Sequence, residues 1–300
     1  MEKTSLTALN AGKTVFKELD PPQTGQVTGI TSHGIFLLTD RAGIIFLSHE
    51  AFRGPLTVNL PGLPPEVTAA LVMGASLSLS PGCLSDRKGK FRLLIPARCS
   101  WSALTAPQEQ CSLLPVRRAR LNSFCRLALE RKGESGFAPI LPALLDWPGA
   151  AASPPVWDSL LAARVQNVLA LPRLLQMKAI SQIKANLLQL LGCGRGLTPS
   201  GDDLVLGLLL VANRWGAGGL PVEGLARLNA EVIAAARQRT TTLSARLIAC
   251  AAQGEADERL LAAADFLFCG AGDEDKVLAE LLTWGASSGV DALVGMAVGA

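Results

Sequence analysis

Two spacings of apolar residues divide the chain. Up to about residue 105 they come in short β-branched and aromatic runs, as in GQVTGITSHGIFLLTDRAGIIFLSHE, where SHG and DRAG interrupt at hairpin spacing. SLSLS at 76–80 and KFRLLIP at 90–96 continue the pattern between prolines and glycines, and predict a small antiparallel β-barrel or sandwich. Beyond residue 155 apolar positions recur at helical period. The predicted helices are 156–171, 174–191, 202–215, 222–238, 244–253, 257–268, 274–284 and 290 to the end. The intervening stretch carries PQEQ, a basic run, the helical pattern LNSFCRLALERK and the turn-rich GFAPILPALLDWPGAAASPP. The expected fold is α+β: a β-rich domain (1–105), a connector with one helix (106–155) and an all-α domain (156–300).

Within the helical region, a single loop stands out. GRGLTPSGDD at 194–203 places three glycines, a proline, two hydroxyls and two adjacent carboxylates before the apolar run LVLGLLLVAN. It follows a helical segment ending in glycine and has no lysine, so it is not a phosphate-binding loop of the strand–GK[ST]–helix kind. A capping box accounts for some of it: Ser200 would accept from the Asp203 N–H, and Asp203 would reach back to the Ser200 N–H. Asp202 and Asp203 project about 100° apart around the helix axis, so one can cap while the other faces a ligand or a metal.

The device recurs. SGDDLVLG at 200–207 aligns with SGVDALVG at 288–295, sharing Ser-Gly, the acid three places on and the closing glycine. Gly201 and Gly289 admit a backbone or a ligand at close range, and Gly207 and Gly295 would let two helices cross tightly. Between the echoes, RQRTTTLSARL sets Thr241, Thr242 and Ser244 before another helix, where any of them can be an N-cap. If the three helix starts converge, they form a pocket of N–H and hydroxyl donors edged by Arg195, suited to a small carboxylate or phosphate. The candidate anion-binding residues are Arg195, Gly196, Thr198, Ser200, Gly201, Thr241, Thr242, Ser287, Ser288, Gly289 and Asp291. Asp202 and Asp203 are the candidate catalytic groups.

Composition narrows the chemistry. With 49% hydrophobic and 18% charged residues the chain is globular, and its apolar surplus suits a subunit interface, in a homo-oligomer or with other subunits. A formal charge of +3, with RRAR at 117–120 as the longest basic cluster, argues against nucleic acid. Arg117, Arg118 and Arg120 read as the solvated start of a helix that could dock an acidic partner. The N-terminal segment lacks an apolar signal region, and the densest apolar run, 204–212, falls short of the roughly 20 residues that span a bilayer. The expected location is cytoplasmic, away from membranes. Seven scattered cysteines without a CxxC read as reduced thiols, and two histidines, His33 and His49, leave little material for a triad or a histidine-rich metal site.

GLTPSGDD with its apolar helix, TTTLS and GASSGVDALVG together resemble the bacterial family that includes AllH, a subunit of the oxamate carbamoyltransferase of allantoin degradation. The resemblance implies a multi-subunit enzyme that exchanges a carbamoyl group between oxalurate and phosphate, giving oxamate and carbamoyl phosphate. All four species are small anions, which agrees with the pocket inferred above. Under that reading Thr198, Ser200 and the groups near Ser287 and Ser288 bind anionic oxygens and Arg195 neutralises charge. Asp202 or Asp203 orients the amide nitrogen, acts as a base or holds Mg²⁺ through water. The STRT-type phosphate loop of ordinary carbamoyltransferases is not present in this sequence. Two other classes fit the residues: a stand-alone Mg²⁺-assisted enzyme on a small carboxylate or phosphoester, and a non-catalytic assembly subunit whose caps are purely structural.

Overall fold

The computed structural model describes residues 4–87, 89–132, 135–148 and 159–300, without the side chains of residues 66, 159 and 160. Two compact units divide it, Met1–Leu104 and Thr105–Ala300. The architecture is α+β, a curled sheet followed by helices.

In the first unit ten strands form one sheet. They are β1 (Thr4–Thr7), β2 (Asn10–Gly12), β3 (Gln23–Thr31), β4 (Gly34–Thr39), β5 (Ile44–Ser48), β6 (Thr57–Asn59), β7 (Ser76–Ser80), β8 (Cys83–Asp86), β9 (Phe91–Leu94) and β10 (Ser100–Trp101). Their order is β1-β9-β8-β7-β3-β4-β5-β6-β2-β10. SHG and DRAG make the two hairpin connections that their spacing predicts, β3–β4 and β4–β5. The sheet is mixed rather than purely antiparallel, because β1 pairs β9, β5 pairs β6 and β10 pairs β2 in parallel. These pairings join segments far apart in sequence or separated by irregular chain, which hydrophobic alternation does not register. Val27, Leu37, Ile45, Leu47, Leu77 and Leu79 lie in the core on the inner face, with Val15 and Leu19 of α1 (Lys13–Glu18) and Val67 of α2 (Pro65–Ala70).

The second unit is helical: α3 (Leu114–Lys132), α4 (Leu141–Leu144), α5 (Ser159–Ala162), α6 (Val165–Gln176), α7 (Ile180–Leu190), α8 (Ser200–Trp215), α9 (Val222–Arg239), α10 (Thr242–Ala251), α11 (Glu258–Cys269), α12 (Glu274–Leu281) and α13 (Ser288–Gly299). The predicted break at Pro172 is displaced. α6 runs through it, because Val168, Leu171 and Leu175 bury one continuous face and outweigh the single backbone bond the ring removes. The chain turns instead at Lys178, in the left-handed region at φ 53°. Positions 156–158 of the first predicted helix lie outside the described residues.

α8 and α13 occupy the centre. α13 is buried along its whole length and α8 from Ser200 to Ala212, as expected of helices apolar on every side. α7, α9, α10 and α11 pack on α8, and α3, α4, α6 and α11 on α13. α8 ends at Gly216, left-handed at φ 65°. Near that end Arg214 makes a forked ion pair to Asp265, which also accepts from the Trp215 indole at 3.0 Å.

α3 departs from its reading as a solvated basic segment. The Arg117 guanidinium lies 5.0 Å from the Phe268 ring centre, and Arg120 lies over Phe266 while donating to the Leu267 carbonyl at 3.0 Å. Arg118 is exposed. Charge spacing did not reveal that aromatic residues of α11 would take up two of the three cations.

The central crossing rests on glycine. A Cβ on Gly207 would lie 2.0 Å from the Ala292 carbonyl oxygen, and one on Gly295 would lie 2.0 Å from that of Leu204. Backbone cannot yield as a flexible side chain can. Gly207→Ala and Gly295→Ala should each cost about 1–3 kcal/mol, the range for overpacking a tight core. Urea unfolding followed by circular dichroism would measure this, and unchanged midpoints would show that the helices are not in backbone contact.

Candidate functional site

Two helix starts are built alike and face one another. α7 ends at Leu190, and Gly192 turns the chain at φ 74°, where a Cβ would meet the Arg239 carbonyl oxygen at 2.4 Å. Pro199, at φ −55° and ψ 143°, occupies the N-cap place with no side-chain cap bond. Ser200 is therefore the first helical residue, and the Asp203 N–H donates to the Pro199 carbonyl at 3.2 Å. The capping box expected of Ser200 and Asp203 does not form, because the proline fixes the cap geometry one residue early and leaves both side chains for other partners. On the opposite side α13 begins at Ser288 behind Ser287, again with no side-chain cap bond. A Cβ on Gly201 would lie 2.0 Å from the Leu190 carbonyl oxygen, and one on Gly289 would lie 2.1 Å from that of Leu281, so each start is pressed onto the preceding helix.

The freed side chains pair crosswise. Asp203 of α8 is hydrogen-bonded to Ser288 of α13 and to Thr198, while Asp291 of α13 takes hydrogen bonds from Ser200 of α8 and from Ser287. Thr198 and Ser288 share a hydrogen bond of 3.0 Å between their hydroxyl oxygens. Aligned residues of the two echoes thus exchange partners across the crossing.

The third hydroxyl cluster joins through the same loop. Thr240 donates its hydroxyl to Asp202 Oδ2, and the Gly192 N–H donates to Asp202 Oδ1 at 2.8 Å. Thr241 caps α10, accepting from the Ser244 N–H at 3.1 Å, and donates to the Leu197 carbonyl at 2.6 Å. The starts of α8, α10 and α13 therefore meet around residues 197–203. Arg195, Gly196 and Thr242 are exposed, Thr198, Thr241 and Ser287 are half-buried, and Ser200, Gly201, Ser288 and Gly289 are buried. Both oxygens of Asp202 are engaged by the protein, so that carboxylate ties three segments together. Among the described residues no group of three or more His, Cys, Asp or Glu is arranged to hold a metal ion.

Burial governs the acids. Asp202, Asp203 and Asp291 have at most 1% of their surface exposed. Desolvation raises the Asp203 carboxyl well above the usual carboxylate range, and the charges of Asp291 and then Asp202 add to it against the pull of the Ser288 and Thr198 hydroxyls. Burial raises Asp291 to about 7, opposed by the Phe137 N–H and by the Ser200 and Ser287 hydroxyls. Asp202 is raised by burial and held back by Thr240, Gly192 and Ser244. Oδ2 of Asp203 and Oδ2 of Asp291 have no hydrogen-bond partner among the described residues.

Sequence reasoning missed Thr240 and a short segment, Ser135–Gly136–Phe137. The Phe137 N–H donates to Asp291 Oδ1 at 2.6 Å, and Gly136 lies so close that a Cβ would sit 2.2 Å from the same oxygen. Ser135 Oγ is buried without a partner among the described residues. A faint signal exists in retrospect, for Ser135–Gly136 is a third Ser-Gly step beside those at 200 and 288. His33 and Glu50 pair at 2.9 Å in the first unit, and His49 is exposed. None of the seven cysteines forms a disulfide.

Residues 190–300 match the family model described as oxamate carbamoyltransferase subunit AllH, which supports an AllH-like assignment for this segment. The matched segment begins at the last residue of α7 and contains the three helix starts. No curated protein and no solved structure matches the chain. No helix among the described residues is long and apolar enough to cross a membrane.

A carboxyl whose affinity for protons is higher in the folded than in the unfolded chain makes stability fall as pH rises. For Asp291 the decline spans the interval from the ordinary carboxylate value of 3.8 up to about 7, and the stronger elevation at Asp203 extends it upward. Asp291→Asn keeps an acceptor for Phe137 and removes the charge. It should flatten this slope and stabilise the chain above pH 7 by on the order of 2–4 kcal/mol, with each kcal/mol raising the melting temperature by about 2–4 °C. Melting curves between pH 5 and 9 test this, and parallel curves for the variant and the parent chain would contradict it.

Proposed function

We propose that this chain is a subunit of an oxamate carbamoyltransferase and that the loop at 194–198, with the starts of α8, α10 and α13, binds the small anions of that reaction. The reaction under this reading is oxalurate with phosphate giving oxamate and carbamoyl phosphate, and the chain works alongside other subunits. The observation that carries the reading is the meeting of three donor-rich helix starts inside the segment that matches the family model.

The residues divide by position. Thr198 and Thr241 stand half-buried at the edge of the cluster, and Arg195 and Gly196 are exposed on the loop that precedes Thr198. An anionic oxygen arriving there meets the amide dipoles of the helix starts and a guanidinium, and draws a hydroxyl hydrogen from Thr241 by displacing its bond to the Leu197 carbonyl. Ser200 and Ser288 lie deeper and hold the acids, while Asp202 fixes the loop to Thr240 and Gly192. Transfer of a carbamoyl group develops negative charge on its carbonyl oxygen, and fixed donors stabilise that charge better than water, which must reorient. Gly196, at φ 92° with open space where a Cβ would stand, leaves the loop backbone accessible on that side.

Calorimetric titration of the purified chain with phosphate, oxamate, oxalurate and carbamoyl phosphate tests the site. Binding is expected, and Arg195→Ala should weaken it about tenfold, the loss of one charge-assisted hydrogen bond at roughly 1.4 kcal/mol. Thr241→Val should weaken it with a drop in melting temperature of its own, because it also removes a helix cap worth about 1 kcal/mol. No binding of any of the four anions, alone or with partner subunits present, would reject the assignment.

A further inference from the structure

The buried acids are more than anchors for serine hydroxyls. Asp203 and Asp291 each leave one oxygen without a partner among the described residues, at the start of two helices that cross in backbone contact. The charges acting on Asp203 come from Asp291 and Asp202, both negative. Among the described residues, the groups that shift Asp203 or Asp291 include no cation, and Lys132 of α3 donates to the Ala286 carbonyl at 3.0 Å. Two like charges so deprived of water do not both ionise near neutral pH. Something positive must reside there. A hydrated cation needs a coordination shell, whereas Gly136 packs directly on the Asp291 carboxyl, and a proton needs no room.

A path leads outward from the pair. Asp203 is bonded to both Ser288 and Thr198, whose hydroxyl oxygens are 3.0 Å apart, and Thr198 is half-buried at the loop. Each hydroxyl both donates and accepts, so a proton can move along the row by exchange of bonds. We propose that Asp203 and Asp291 hold one proton between them and that Ser288 and Thr198 carry it between this pair and the loop surface.

This inference rests on the carbamoyltransferase reading for its use. When the carbamoyl carbon–nitrogen bond of oxalurate breaks and a carbon–oxygen bond to phosphate forms, the departing nitrogen gains one proton and the phosphate hydroxyl loses one. The acid pair supplies the first through Thr198 and recovers the second, so its proton count is unchanged after a turnover. Thr198 is the group that meets the ligand. Asp203, Asp291 and Ser288 act through it.

Infrared spectra of the full chain at pH 7 test the pair without any ligand. The carbonyl band of a protonated carboxylic acid is expected, weakened in Asp203→Asn and in Asp291→Asn. On transfer to heavy water its shift should be at least about tenfold slower in Thr198→Val, roughly 1.4 kcal/mol in barrier, and should recover in Thr198→Ser. Absence of the band, or retention of its full strength in both asparagine variants, overturns the pair. Equal exchange in parent and Thr198→Val overturns the relay. A band abolished by millimolar Mg²⁺ would show a cation there instead. Failure of phosphate and oxamate to bind would reject the functional reading while the infrared results still decide the pair and the relay.

Discussion

The helical unit depends on two backbones touching. Gly207 and Gly295 bring α8 and α13 so close that each helix lies against a carbonyl of the other, which sets the distance between the two helix starts above them. Any side chain at either position would hold those starts apart, and the crosswise Ser–Asp pairs would lose their reach. A packing constraint in the middle of the core thereby controls the chemistry at one end of it.

That end collects groups that ordinary folding would separate. Acids at helix starts are favoured by the dipole, yet here they are also stripped of water and placed near one another. Hydrogen bonds from Ser200, Ser287, Ser288, Thr198 and the Phe137 N–H offset part of the cost. The remainder persists as raised proton affinity, an energetic burden on the native state. Arg214 and Asp265 near the far end of α8 show the contrasting solution, in which a half-buried acid is met by a fork of guanidinium donors.

What could be read in advance follows from the range of each interaction. The echo between 200–207 and 288–295 lies in the residue types themselves, and it foretold both the tight crossing and the kinship of the two helix starts. The capping box failed on a single residue, since Pro199 moved the cap position and turned Ser200 toward Asp291. Thr240 and Ser135–Phe137 reach the site only through tertiary contact, and neither carries a periodic pattern of its own. In the sheet the hairpins around SHG and DRAG were legible because their partners are neighbours in the chain. The three-residue β2 and β6 were not, being too short for alternation to register.

The starts of α8 and α13 are alike but not identical. Asp202 aligns with Val290, so the carboxylate that grips Thr240 and Gly192 has no counterpart on the other side, where Gly136 and Phe137 close over Asp291 instead. The two starts therefore carry similar hydroxyls between different walls. The mismatch at 202 and 290 gives the paired helix starts a head and a tail, and with them a sense of direction.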